Sequence, residues 1–297
     1  MNTIEKAMKA RRKTDGGQVQ EAPVVGTPHP APEGPAGPAP GAGSSQRVEI
    51  DLTRLRRQGF LTPDEGRSRL AEEMRQIKRA VLKNVEADEH LRVEDANLIM
   101  VTSSLPGEGK SFTAINLAIS IAMELDKRVL LVDADVAKPS LHRYLGIEAR
   151  HGLIDYLTDP HAELHQFLLK TNIPKLTLLP AGSTHQYATE LLASGRMRAL
   201  VEELQGRYPD RVVIFDSPPV LLTNEARVLA SLVGQILVVV EAEHTPQETV
   251  KEALAAIADE EKVIGLVLNK NRRKSGGGYY GGYGYGYGYG HSPEAPE

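Results

Sequence analysis

Cysteine and tryptophan are both absent from the 297 residues. The first absence excludes a disulfide framework and a thiolate metal site. No apolar run approaches the roughly 18 residues of a membrane span, and the N-terminus has no apolar core of a secretory signal. The expected chain is therefore soluble and intracellular, with any membrane association running through a partner. An excess of basic charge is also lacking: the formal net charge is −4 and the isoelectric point about 6.2, which argues against a nucleic-acid footprint.

What is present is 41% hydrophobic and 25% charged residues, enough for one large core or two modest ones. Glycine and proline are placed unevenly. Residues 16–43 hold seven of each, and residues 275–290 hold nine glycines. Four segments follow. Residues 1–15 form a short amphipathic segment in which Lys6, Lys9, Arg11, Arg12 and Lys13 outweigh Glu5 and Asp15, suited to an acidic partner or an anionic membrane face. Residues 16–45 are a Pro/Gly/Ala-rich tether. Residues 46–274 have the composition of a folded domain, and residues 275–297 form a Gly/Tyr-rich flexible tail.

Within the folded part, Thr62-Pro63-Asp64-Glu65 combines a threonine cap, a proline at the first helical position and a glutamate three residues after the cap, which predicts a helix start. Behind it Leu70, Met74, Ile77 and Val81 repeat at helical spacing, while Glu72, Arg75, Lys78 and Arg79 read as a solvated charged face. Short apolar runs then alternate with helix-like segments: Leu98–Thr102, Val129–Val132, Leu176–Leu179, Val212–Phe215, Ile236–Val240 and Val263–Leu268. Continuous Val/Ile/Leu runs suit strands buried on both faces. The predicted fold is a doubly wound, mostly parallel α/β domain with its ligand beyond the carboxyl ends of the strands.

Thr102-Ser103-Ser104-Leu105-Pro106-Gly107-Glu108-Gly109-Lys110-Ser111 follows one such run and opens a helical stretch, Phe112 to Leu125. That context predicts a phosphate-binding loop, with backbone amides and a helix N-terminus turned toward phosphate oxygens. Lys110 would reach the β- and γ-phosphates and Ser111 would hold Mg²⁺. The usual first glycine is Ser104. Asp133 and Asp135 end the second run and Asp216 ends the fourth, three carboxylates placed where a nucleotide-bound Mg²⁺ would sit.

With these motifs in order, the sequence resembles the bacterial tyrosine autokinases, P-loop proteins that regulate capsule and exopolysaccharide synthesis. It is most similar to the subgroup found with exosortase gene clusters. The resemblance rests on the loop ending in Gly109-Lys110-Ser111, on Val129–Asp135 continuing to Lys138-Pro139-Ser140-Leu141-His142, and on Asp216-Ser217-Pro218-Pro219. Gly152–Leu157, Glu190–Ser194 and Thr223–Ser231 add to it. It implies a MinD/ParA-like P-loop fold, ATP and Mg²⁺ as cofactors, and nucleotide contacts from Ser104, Pro106, Gly107, Glu108, Gly109, Lys110, Ser111, Phe112 and Asn269. It further implies Mg²⁺ held by Ser111, Asp135 and Asp216, with Lys110, Asp133 and Asp135 catalytic and Asp133 the base. Two positions depart from the family pattern. Ala137 stands where the family places arginine, and Glu72, Arg75 and Lys78 match its oligomerisation motif with lysine in the last place. Lysine keeps the charge but loses the bidentate fork.

Six of the ten tyrosines, Tyr279, Tyr280, Tyr283, Tyr285, Tyr287 and Tyr289, lie in the tail. The resemblance makes them autophosphorylation substrates. An extended tail of fifteen steps from Lys274 reaches about 50 Å, far enough to enter a neighbouring subunit. Six phosphotyrosines would add roughly −9 to −12 of charge and favour dissociation. The partners implied are a transmembrane polysaccharide co-polymerase as activator, a cognate tyrosine phosphatase and further copies of the chain in a ring, with no nucleic acid. The location implied is the cytoplasm, at the inner face of the membrane. The alternative reading is a non-kinase P-loop ATPase switch of the division-site or plasmid-partitioning type; the lysine those proteins carry early in the loop is replaced here by Leu105.

Overall fold

The computed structural model describes residues 46–65, 67–87, 93–207, 211–259 and 261–271. The expected N-terminal segment, its tether and all six tail tyrosines lie outside them. Eight strands form one sheet: β1 (Gln46–Val48), β2 (Leu98–Ser103), β3 (Arg128–Asp133), β4 (Leu169–Thr171), β5 (Leu176–Leu179), β6 (Arg211–Asp216), β7 (Gln235–Glu241) and β8 (Val263–Asn269). Their order is β1-β4-β5-β3-β6-β2-β7-β8, and every pairing is parallel except β4 with β5. Nine helices among the described residues connect or cover the strands: α1 (Leu52–Arg57), α2 (Arg69–Val85), α3 (Lys110–Ala122), α4 (Leu141–Leu145), α5 (Leu153–Thr158), α6 (Ala188–Leu192), α7 (Gly195–Arg207), α8 (Asn224–Ala230) and α9 (Gln247–Ala256).

The continuous apolar runs have the meaning their pattern implied. Successive side chains of a strand point to opposite faces, and in β2 Leu98 and Met100 enter one core while Ile99 and Val101 enter the other. In β3, Leu130 and Val132 likewise oppose Val129 and Leu131. Helix α3 lies centrally over one face with eleven of its thirteen residues buried. β8 is a sheet edge and departs from full burial: Leu266 and Leu268 are exposed.

The expected helix start at Thr62 is corrected. Thr62–Glu65 is a turn closed by the Glu65 amide donating to the Thr62 carbonyl at 2.9 Å. The Thr62 hydroxyl, the anticipated cap, instead accepts from the Arg56 guanidinium at 3.2 Å. Helix α2 begins at the next capping residue, Ser68, whose hydroxyl accepts from the Ala71 amide at 3.1 Å. Its buried face comprises Ala71, Met74, Lys78, Val81 and Leu82, so the apolar stripe is rotated from Leu70 and Ile77, which are only partly buried.

Candidate functional site

The strands set the geometry of the site. β3 and β6 end together, with Asp133 opposite Asp216, while β2, whose Val101 is opposite Asp216, runs on to Ser103, so the loop after β2 meets the carboxylates that end β3 and β6. The Ala134 amide donates to the Asp216 carbonyl at 2.8 Å and the Ser217 amide to the Val101 carbonyl at 3.0 Å, fixing the three chain exits. In the loop, Gly107 and Gly109 take φ of 88° and 101°, a region side chains rarely adopt. Gly109 has a second constraint: a Cβ there would lie 2.0 Å from Asn269 Nδ2.

Lys110 Nζ donates to Asp135 Oδ2 at 2.7 Å and lies 3.9 Å from Asp216 Oδ1. Burial opposes its charge, but Asp216 and Asp135 outweigh burial and raise its pKa. Ser111 Oγ accepts from Ser140 Oγ at 3.0 Å. Asp133 Oδ2 accepts the Ser140 and Leu141 amides, both at 3.1 Å. Asp133 Oδ1 and both Asp216 oxygens are buried and receive no hydrogen bond. Burial, reinforced by the mutual repulsion of the two carboxylates, raises Asp133 to about 7; burial likewise raises Asp216 to about 6, partly offset by Lys110.

These bare oxygens beside a lysine fit a small hard cation, which accepts few protein oxygens and completes its shell with phosphate and water. Among the described residues no group of three or more acids or histidines is arranged to hold a metal unaided.

A cavity of about 320 Å³ opens over the site. Of the anticipated nucleotide contacts, Pro106, Gly107, Gly109, Lys110, Ser111 and Phe112 line it, whereas Ser104, Glu108 and Asn269 do not. Glu108 turns its carboxylate away and is only 2% exposed. Its Oε2 accepts the Leu105 amide at 2.7 Å, and its Oε1 accepts the Thr245 hydroxyl. Asn269 Nδ2 donates to the Glu108 carbonyl at 2.8 Å. The loop is thus braced from behind by the carboxyl ends of β7 and β8. Of the three predicted aspartates only Asp135 lines the cavity; Asp133 and Asp216 lie outside its lining. Sequence reasoning missed Ser140, Thr245, Arg143 and Tyr144; the family-like Lys138–His142 segment was the one signal near any of them.

The anticipated oligomerisation residues are divided. Glu72 and Arg75 pair at 2.6 Å on an open face, but Lys78 is buried against α3. Its Nζ reaches the Ser120 carbonyl at 3.5 Å and pairs with Glu124.

Residues 96–269 match the family model described as AAA domain. The tyrosine-protein kinase YwqD of Bacillus subtilis is 36% identical over 186 residues, covering 62% of this chain and 77% of that protein. The chain belongs to the bacterial tyrosine autokinase family. It is a P-loop protein-tyrosine kinase by that membership. The putative tyrosine-protein kinase EpsB of Ralstonia nicotianae is also 36% identical, over 192 residues that make up 63% of this chain but 25% of that relative, so there the match is one part of a longer protein. The kinase domain of the Escherichia coli tyrosine kinase ETK superposes with a TM-score of 0.65 at 28% identity, covering 76% of this chain and 85% of that one. The succinoglycan biosynthesis transport protein ExoP of Rhizobium meliloti is 34% identical over 77% of this chain and 28% of its own length. Among the described residues no helix is long and apolar enough to cross a membrane.

Proposed function

We propose that the chain transfers the γ-phosphoryl group of ATP to its own tail tyrosines, mainly between subunits, and thereby regulates exopolysaccharide synthesis or export. The observation that carries this reading is Lys110 Nζ held between Asp135 and Asp216 where β3 and β6 end together beside β2. Amides of Gly107 and Gly109 face phosphate, and Lys110 moves from Asp135 onto the β- and γ-oxygens as nucleotide enters. Ser111, Asp135 and Asp216 would hold Mg²⁺, whose chemistry there would be neutralisation of phosphate charge. Asp133, raised to about 7 by burial and the neighbouring Asp216, is the base that the family resemblance assigns to the phenol proton. Catalysis is chiefly positioning and charge stabilisation.

Glu72 and Arg75 supply subunit contacts. The name of one relative, the succinoglycan biosynthesis transport protein ExoP, supports activation by a membrane co-polymerase, and a cognate phosphatase reversing the modification is part of the same proposal. Labelled ATP tests the central step. Tail phosphotyrosine in the wild type and none in a folded Lys110→Met variant is the expected result; continued labelling of that variant contradicts it.

A further inference from the structure

The cavity extends past Asp135 along the segment that follows β3, and its outer wall carries two cations and an aromatic ring. Lys138 lies in the turn before α4, Arg143 and Tyr144 on α4 itself, and all three line the cavity with Ala137 between the metal end and the cations. Leu222 faces them from the loop after β6. Tyr144 and Leu222 are partly exposed, at 40% and 60%. Tyr144 packs against Phe60 with ring centroids 5.5 Å apart, and the Arg143 carbonyl accepts from Arg54 Nη2 at 3.2 Å. The backbone is thus pinned while the Lys138 and Arg143 side chains stay exposed, without an acidic partner among the described residues.

Two unpaired cations on an apolar rim, beside a centre that moves phosphate onto phenols, suit one ligand class: a phosphate already attached to a tyrosine. Arginine holds phosphate in bidentate fashion, and phosphotyrosine offers about −1.5 to −2 of charge. Tyr283, Tyr285, Tyr287 and Tyr289 fall at every second position. In an extended acceptor such residues share one face and stand roughly 6.6 Å apart, at about 3.3 Å per residue. With one tyrosine at the reacting centre the next stands about 6.6 Å along the acceptor, and the cavity lining that holds Lys110 and Asp135 also holds Lys138 and Arg143.

We propose that Lys138 and Arg143 form a phosphotyrosine-holding subsite, so that a tail modified at one tyrosine is the preferred acceptor at the tyrosine two residues away. This rests on the proposed phosphorylation of the tail. The chemical step is the same for each tyrosine. The phenol oxygen bonds to the γ-phosphorus, the bond from that phosphorus to the β–γ bridging oxygen breaks to leave ADP, and the phenol proton goes to Asp133. The subsite lengthens the residence of the acceptor. Ala137 keeps the wall between the metal end and the cations clear of a third long side chain.

The test is intact-mass analysis of the dephosphorylated full chain during reaction with MgATP. The wild type is expected to pass quickly from unmodified to multiply phosphorylated, with little singly phosphorylated protein. In Lys138→Ala/Arg143→Ala the ratio of the second-step to the first-step rate constant is expected to fall several-fold, so the singly modified species accumulates. A synthetic peptide of residues 281–290 phosphorylated on Tyr285 is expected to bind the wild type at least tenfold tighter than the unmodified peptide, and to lose that advantage in Arg143→Ala. Equal step ratios in both proteins, or equal affinities for both peptides, overturn the subsite. A wild type that takes up no phosphate on its tail overturns the underlying reading and the subsite with it. Tail labelling with a random distribution of phosphates overturns the subsite alone.

Discussion

The Thr245 hydroxyl donates to the Glu108 carboxylate across 137 positions of sequence, tying the middle of the phosphate loop to the segment that follows β7. Glu108 is buried, and its carboxylate also holds the Leu105 amide. A loop that must aim its amides at phosphate is kept in that form from behind, before any ligand arrives. Loss of a hydrogen bond to a charged group costs about 1.5–3 kcal/mol. Glu108→Ala is expected to raise KM for ATP on the order of tenfold or more with a smaller change in kcat, and Glu108→Gln is expected to recover most of the loss. Steady-state kinetics on both variants decide this; an unchanged KM in Glu108→Ala refutes the brace.

Proton release should accompany loading of the site. Asp133 and Asp216 are raised to about 7 and about 6, and Mg²⁺ with nucleotide favours their charged forms. Calorimetry at pH 6.5 in two buffers of different ionisation enthalpy is expected to show proton release, and at pH 8.5 almost none. Affinity is expected to weaken as the pH falls from 7 to 5.

The same shift has a stability consequence of opposite sign. A group whose folded pKa lies above its unfolded value, about 3.9 for aspartate, stabilises the fold below the unfolded pKa and loses that contribution as the pH rises through the folded one. For Asp216 the window runs from about pH 4 to about 6. Nucleotide-free wild type is expected to lose on the order of 2–3 kcal/mol from this group across it. Asp216→Asn is expected to flatten that loss, to be at least as stable at pH 8, and to be inactive. Urea titrations of the nucleotide-free proteins at several pH values read the difference.

Arg75 and Lys78 should behave differently despite sharing a motif. Lys78 serves its own protomer through Glu124 and the Ser120 carbonyl, so Lys78→Met is expected to lower the melting temperature and leave the oligomer mass unchanged. Arg75→Ala is expected to reduce that mass with little effect on melting. Light scattering and thermal unfolding on both variants separate the two roles.

How much of this was legible in the sequence follows from where each feature gets its energy. Five of the strands were readable because both of their faces are largely buried, which leaves an unbroken apolar run such as Val129–Val132, and β8 was readable from its apolar composition although it is a sheet edge. β1 and β4 were not, since three residues such as Leu169-Lys170-Thr171 carry no period. The helix start was misplaced because the capping oxygen of Thr62 is taken by Arg56, a competition that exists only in the folded chain. That Lys110, Asp135 and Asp216 lie close together was legible because strand ends in a parallel sheet converge. The outward turn of Glu108 was hidden, because its partner Thr245 is local in space and remote in sequence. Lys78 read as one of a charged row, and only the rotation of α2 turned it inward.

The most direct measurement is phosphosite mapping after mixing two proteins with MgATP: a Lys110→Met full-length chain as acceptor, and a catalytically intact chain ending at residue 274 as donor. The expected result is phosphate on Tyr279, Tyr280, Tyr283, Tyr285, Tyr287 and Tyr289 of the Lys110→Met chain. An unmodified tail there, together with an unmodified tail in wild-type protein given MgATP, would contradict the account.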